Sequence, residues 1–374
     1  MSNLATSKDD IALAIKVANE LSSKEMEIRK ATVDLKYEKL TKQKQELESF
    51  KNFSIGWNDE KLKTLKAQNR EYIDLAKTGC TFLNIAEFTG MVPVFPRNLV
   101  LVGAETGAGK STLTANMTMQ FLRQSKRVLT ITNEEHPTDI LNRVICLFKG
   151  WSYHDHASIT PEQQDVFDEM YPKITERLDI VDDNYNGVGG LTTTIEGLES
   201  ILTSLKANPK KYDIIIIDYF QNINSSHKNP GASGFEVLHN VGRALDLFKN
   251  VYNAPIILLS QLKAAGSEDD SKPFEERIPG RKSIMTFATC AIEAKADKEN
   301  SCTEWIFRKS RFAKSMGKKI KTGFDRGLYV PHTVEFKRKM EEERVARQMQ
   351  FNRNKDIEKL QKTMGLKEKE YEKV

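Results

Sequence analysis

The segment Ala104-Glu105-Thr106-Gly107-Ala108-Gly109-Lys110-Ser111 constrains this chain more than any other. It follows an apolar run, Asn98-Leu99-Val100-Leu101-Val102-Gly103, that reads as a buried strand, and from Thr112 onward the pattern reads as a helix. A glycine-rich turn in that position aims the backbone N–H groups of the loop and of the first helical turn at an anion, and the helix dipole favours the negative charge. This is the pattern of a phosphate-binding loop. It predicts that Ala104 to Thr112 cradle the phosphates of a nucleoside triphosphate, ATP in the simplest case. Lys110 would reach the terminal phosphates and the Ser111 hydroxyl would ligate Mg²⁺. The strict pattern asks for glycine at 104, where this chain has Ala104 with Gly103 one position early. A small residue there still permits a tight turn.

The rest of the chain predicts an α/β core around that loop. Short β-branched runs at Leu99–Val102, Val128–Thr132, Leu178–Val181, Ile214–Ile217 and Ile256–Leu259 alternate with helical patterns, as in a mainly parallel sheet flanked by helices. Three zones result: a helical region over 1–80, the core over 81–332, and a charged helical or partly disordered tail over 333–374. In the first zone Ile11, Ala14, Ala18, Leu21, Ile28 and Leu35, then Val33, Tyr37, Leu40 and Leu47 in a shifted phase, predict one long amphipathic helix from about Ser7 to Phe50. Its narrow apolar stripe needs a cover, either the core domain or a neighbouring subunit. A shorter helix is expected over Asp59 to Lys77.

Cys80, Cys146, Cys290 and Cys302 are far apart and form no C-x-x-C pair, which fits inert thiols in a reducing compartment. No apolar stretch reaches membrane-spanning length, so no membrane partner is expected and the location is cytoplasmic, a host cytoplasm if the gene is a phage's. The net charge of +5 is compatible with a polyanionic partner without requiring one.

Three further strand ends carry chemistry. Asp218 closes the run Ile214-Ile215-Ile216-Ile217 and is the natural second Mg²⁺ residue; Asp213, at the strand's other end, reads as structural. Val128–Thr132 ends in Asn133-Glu134-Glu135. If that strand neighbours the phosphate-loop strand, Glu134 or Glu135 faces the γ-phosphate and can accept the proton of the attacking water. Gln261, closing the run at Leu259-Ser260, either senses the γ-phosphate or caps the next turn.

Together these residues resemble the ATPase domain of hexameric replicative DNA helicases of the DnaB type, within the RecA-like superfamily. The resemblance covers about Thr81 to Val330 and implies a RecA-like fold. The family's loop commonly begins with Ala, which accounts for Ala104. Its other motifs are similar to Thr132-Asn133-Glu134-Glu135, Asp218-Tyr219-Phe220-Gln221 and Leu259-Ser260-Gln261-Leu262. The match favours Glu134 as catalytic base. A late strand of the family carries Lys-x-Arg toward the ATP of the adjacent subunit. Trp305-Ile306-Phe307-Arg308-Lys309-Ser310-Arg311 is similar, implying that Lys309 and Arg311 act in trans, with Arg311 the arginine finger.

The chain departs from the family at Ser283-Ile284-Met285-Thr286-Phe287-Ala288-Thr289, where an acidic stretch is usual, and in carrying a helical zone in place of a large N-terminal domain; a phage-type member is the expectation. The resemblance implies a hexameric ring of identical subunits moving on single-stranded DNA during replication, with a primase or loader as partner. Segments Asn224 to Phe235 and Lys263 to Lys282 would line its channel, with Lys228, Lys263, Arg281 and Lys282 near phosphates and Glu268, Asp269, Asp270, Glu275 and Glu276 opposing them. The alternatives are a RecA-like recombination or repair ATPase, and a scaffold that assembles in response to nucleotide.

Overall fold

The computed structural model describes isolated positions before residue 58, then 58–77, 80–105, 107–152, 159–183, 189–207, 211–218, 234–263, 273–278, 282–311 and 315–363, with 187 and 223 alone between them. The chain divides into two units, Met1–Asn69 and Arg70–Val374. Before residue 58 the described positions, among them Lys16, Tyr37 and Leu40, are helical and exposed. Ile11, Ala14, Ala18, Leu21, Ile28, Val33, Leu35 and Leu47 of the expected long helix lie outside the described residues. Helix α1 (Asp59–Lys77) occupies the span read as the second helix.

The second unit holds nine strands among its described residues, in one sheet of order β3-β2-β4-β5-β1-β6-β7-β8-β9. Strands β1 (Leu99–Glu105), β2 (Val128–Thr132), β3 (Leu178–Val181), β4 (Ile214–Asp218) and β5 (Ile256–Leu262) are the five apolar runs, and all pair in parallel. Their side chains alternate between two cores. Val100, Ile214, Ile216, Ile257 and Leu259 enter one, with Phe82, Phe88 and Trp305. Leu99, Leu101, Ile215, Ile217, Ile256 and Leu258 enter the other, on the opposite face. Successive side chains of a strand point to opposite faces, so a sheet covered on both sides needs continuous apolar runs rather than alternating ones.

Beyond these lie β6 (Cys290–Asp297), parallel to β1, and the antiparallel β7 (Cys302–Ser310), β8 (Lys319–Asp325) and β9 (Leu328–Pro331). The remaining helices are α2 (Lys110–Arg123), α3 (Pro137–Lys149), α4 (Pro161–Thr175), α5 (Ile195–Ala207), α6 (Gly234–Tyr252), α7 (Phe274–Arg277), α8 (Lys282–Phe287) and α9 (Val334–Thr363). Helix α2 is pinned to the β8–β9 turn, where Asn116 Nδ2 donates to the Gly327 carbonyl (2.7 Å) and Tyr329 N–H donates to Asn116 Oδ1 (3.2 Å).

The charged tail is the helix α9. Phe336 anchors its first turn in a place that a side chain on Gly323 would fill, and most of the rest is exposed. No described helix is long and apolar enough to cross a membrane.

Candidate nucleoside triphosphate site

The loop departs from the expectation at its first residue. Ala104 is not in the turn: it is a buried strand residue of β1, level with Gln261 on β5 and Ala294 on β6. The turn starts after Glu105, so nothing at 104 needs the freedom of glycine. Gly103 is the constrained position, because a Cβ there would stand 2.8 Å from the Phe274 ring and 2.9 Å from Leu262. Gly107 and Gly109 hold φ of 72° and 85°, the left-handed region that glycine enters without strain. Ala108 N–H donates to Glu105 C=O (3.1 Å), closing the turn, and Leu113 N–H donates to Gly109 C=O (2.8 Å), starting α2. Thr106 lies outside the described residues. Lys110 is buried, and Ser111 and Thr112 are half-buried on the first helical turn, whose N–H groups open toward the loop.

Asp218 stands beside that turn. It is 3% exposed, and its Oδ2 accepts a 2.7 Å hydrogen bond from Thr114 Oγ1, one turn beyond Lys110. The same hydroxyl lies 3.2 Å from the Lys110 carbonyl. It has one proton, and the carboxylate at the shorter distance is the stronger acceptor. Asp218 Oδ1 is buried and finds no donor among the described residues. Burial pushes the Asp218 carboxyl up to about 6; the Thr114 hydrogen bond opposes the rise, the charges of Glu135 and Glu134 add to it, and Lys110 opposes it.

A buried carboxylate with one unsatisfied oxygen, near the Ser111 hydroxyl, is a hard-oxygen donor set of the kind Mg²⁺ takes. The residues therefore fit the ion. Thr114 had no signal of its own in the sequence beyond its place four residues after Lys110. Asp213, at the other end of β4, is structural as expected, accepting from Arg127 N–H at 2.8 Å.

The two acids of β2 reach the site by another route than a place beside β1. Strands β5 and β4 stand between β2 and β1. The neighbour of β2 is β4, with Thr132 level with Asp218, and Asn133 N–H donates to the Asp218 carbonyl (3.1 Å). The Thr132 hydroxyl accepts from Glu135 N–H (3.2 Å) and Glu134 N–H (3.4 Å), fixing the turn. Glu135 is tied to Arg143 of α3 at 2.9 Å, whereas Glu134 is exposed.

A cavity of about 570 Å³ continues from the loop. Gly107, Ala108 and Thr112 form one wall; Arg143 and Leu147 of α3, Cys302 of β7, and Phe324, Arg326 and Tyr329 of the β8–β9 turn form the others.

Lys309 and Arg311 are not part of this constellation. Strand β7 runs antiparallel to β6, and Ser310 is level with Cys290, which is level with Val100 near the start of β1. The pair thus lies at the sheet edge opposite the phosphate loop, on the order of 15 Å away at ~3.3 Å per strand residue. Lys309 Nζ donates to the Met285 carbonyl and to the Thr286 carbonyl (3.4 Å). Burial, with Arg311 nearby, holds its pKa below the usual lysine value. Arg311 is exposed, its N–H donating to Thr289 C=O (2.9 Å). Tyr219, Phe220, Gln221, Lys228, Glu268, Asp269, Asp270 and Arg281 lie outside the described residues.

Known proteins share this arrangement. The family described as "DnaB-like helicase C terminal domain" matches residues 77–298. The Replicative DNA helicase DnaB of Helicobacter pylori (strain ATCC 700392 / 26695) is 24% identical over 180 residues, covering 47% of this chain and 35% of that protein. The match thus spans about a third of that relative's length. Among solved structures, one described as an isolated ATPase domain superposes with a TM-score of 0.59 at 18% identity, over 75% of this chain and 100% of that one. A DnaB-like replicative helicase, solved in a study of its interactions with primase, gives 0.57 at 17% identity, over 88% and 81%. At such identities the two structures establish the RecA-like fold and nothing finer.

Proposed function

This chain belongs to the DnaB-like helicase C-terminal domain family, and on that premise we propose that it is an ATP-driven DNA helicase motor, a ring of identical subunits translocating on single-stranded DNA in cytoplasmic replication. The observation that carries the reading is the convergence, on one sheet edge, of the phosphate loop, the buried Asp218 with its unsatisfied oxygen, and the β2 acids.

In this reading Lys110 and the N–H groups of the loop hold the triphosphate, and the adjoining cavity receives base and sugar. Ser111 and Asp218 would hold Mg²⁺, whose charge would offset that of the phosphates. Glu134 accepts the proton of the attacking water; Glu135, committed to Arg143, is the poorer base. Gln261, level with Ala104 at the root of the loop, is placed to relay the state of the γ-phosphate along β5. Lys309 and Arg311 sit too far from their own loop to serve it, which supports their acting on a neighbour's nucleotide, with Arg311 as the finger. A hexamer is the ring size the family suggests, and a primase or a loader its further partner.

The test is unwinding of a forked duplex by the pure full chain. Lys110→Ala should abolish it, and unchanged unwinding would sink the proposal.

A further inference from the structure

Glu105 brings a negative charge into a loop read as a polyphosphate site. The structure meets it with a buried chain of charges that the chemistry above does not use. Arg277, the last residue of α7, is 4% exposed. Its Nη2 donates to Glu105 Oε1 and, at 3.4 Å, to the Lys263 carbonyl, while its Nη1 donates to Glu293 Oε1 at 2.7 Å. Glu293, on β6 and level with Gly103 of β1, is fully buried. Its Oε2 accepts from Arg308 Nε (2.7 Å) and Nη2.

Arg308 stands on β7 where the β6–β7 register shifts, immediately before Lys309. A β-bulge of this kind re-aims a side chain, here onto Glu293. The other end of α7 is wedged in place: Phe274 occupies the space that a Cβ on Gly103 would need.

A planar guanidinium fork fixes two carboxylates relative to one another in a way a lysine ammonium does not. We propose that Arg277 is the positioning residue of the phosphate loop: it neutralises and orients Glu105 and, through Glu293, couples the loop to the strand bearing Arg308, Lys309 and Arg311. This rests on the reading of the loop as a nucleotide site. A purely structural Arg277 would support the fold whatever the charge at 105. A positioning Arg277 makes the Glu105 charge harmful once the arginine is gone, because that acid then repels the phosphates.

The test is equilibrium titration of the full chain with a fluorescent N-methylanthraniloyl ATP and Mg²⁺, which needs no turnover. Arg277→Met should weaken nucleotide binding about tenfold, the loss of a charge-assisted hydrogen bond. Adding Glu105→Gln to that variant should recover much of the affinity. Should Arg277→Met fail to fold, the same comparison on Arg277→Lys decides. Lys295→Met, at the half-exposed ammonium 3.8 Å from Glu293, should bind as wild type. Affinity unchanged in the Arg277 variants, or a second substitution that recovers nothing, overturns the proposal. Absence of binding by the wild-type chain would instead defeat the parent reading, and is seen before any variant is compared.

Discussion

Thr114 Oγ1 donates a 2.7 Å hydrogen bond to Asp218 Oδ2, and this bond joins the phosphate-loop helix to the strand that closes the site. Thr114→Val keeps the shape and leaves the buried carboxylate without that donor. We expect a loss of about 1.5–3 kcal/mol in stability, as for a hydrogen bond to a charged group. The Mg²⁺ concentration for half-maximal hydrolysis should also change, since the orientation of Asp218 is lost. Denaturant unfolding and a Mg²⁺ titration of ATPase rate check the two expectations.

The acidity of Asp218 gives a stability signature. Its carboxyl is raised from an ordinary 3.8 to about 6, so folding favours the protonated form. That stabilisation is fully present below about pH 4, and it is lost as pH rises through about 6. Asp218→Asn mimics the protonated state. In the absence of divalent ions it should be more stable than wild type at pH 8, by up to about 3 kcal/mol at 1.36 kcal/mol per pH unit. The difference should vanish near pH 4, and the variant should not hydrolyse ATP. Unfolding midpoints at the two pH values check the sign.

The sheet order and ion pairing separate the two acids of β2. Glu134→Gln should lower kcat by about 10²–10⁴ while leaving nucleotide affinity near wild type, as for loss of a general base. Glu135→Gln, which frees Arg143 instead, should cost less. Single-turnover hydrolysis compared with equilibrium binding distinguishes them.

How far the sequence led depends on which forces left a local trace. Strands β1 to β5 were legible because burial on both faces demands unbroken runs such as Ile214-Ile215-Ile216-Ile217. Strands β6 to β9 were not, apart from the stretch around Trp305, because charges such as Lys295, Asp297, Lys319 and Lys321 interrupt their apolar pattern. The glycines, Lys110 and Asp218 were readable from motif spacing. The place of β2 beside β4 was not, since strand order is a property of topology. Thr114 and the Arg277–Glu293 pair answer charges brought near them only by the fold, across 104 and 16 residues of sequence.

The position of Lys309 and Arg311 at the edge away from the loop predicts complementation between subunits. Lys110→Ala and Arg311→Ala chains should each be inactive alone. Mixed, they should regain ATPase activity, because some interfaces then join an intact loop to an intact finger. Failure to regain any activity in mixed complexes would assign Arg311 to its own subunit.

Coupling of nucleotide hydrolysis at this loop to single-stranded DNA is what makes the chain a motor. The direct measurement is the ATPase rate of the full chain with and without single-stranded DNA, alongside Lys110→Ala. We predict a rate that rises with DNA and is abolished in the variant under both conditions. A rate indifferent to single-stranded DNA, or one that survives Lys110→Ala, would contradict it.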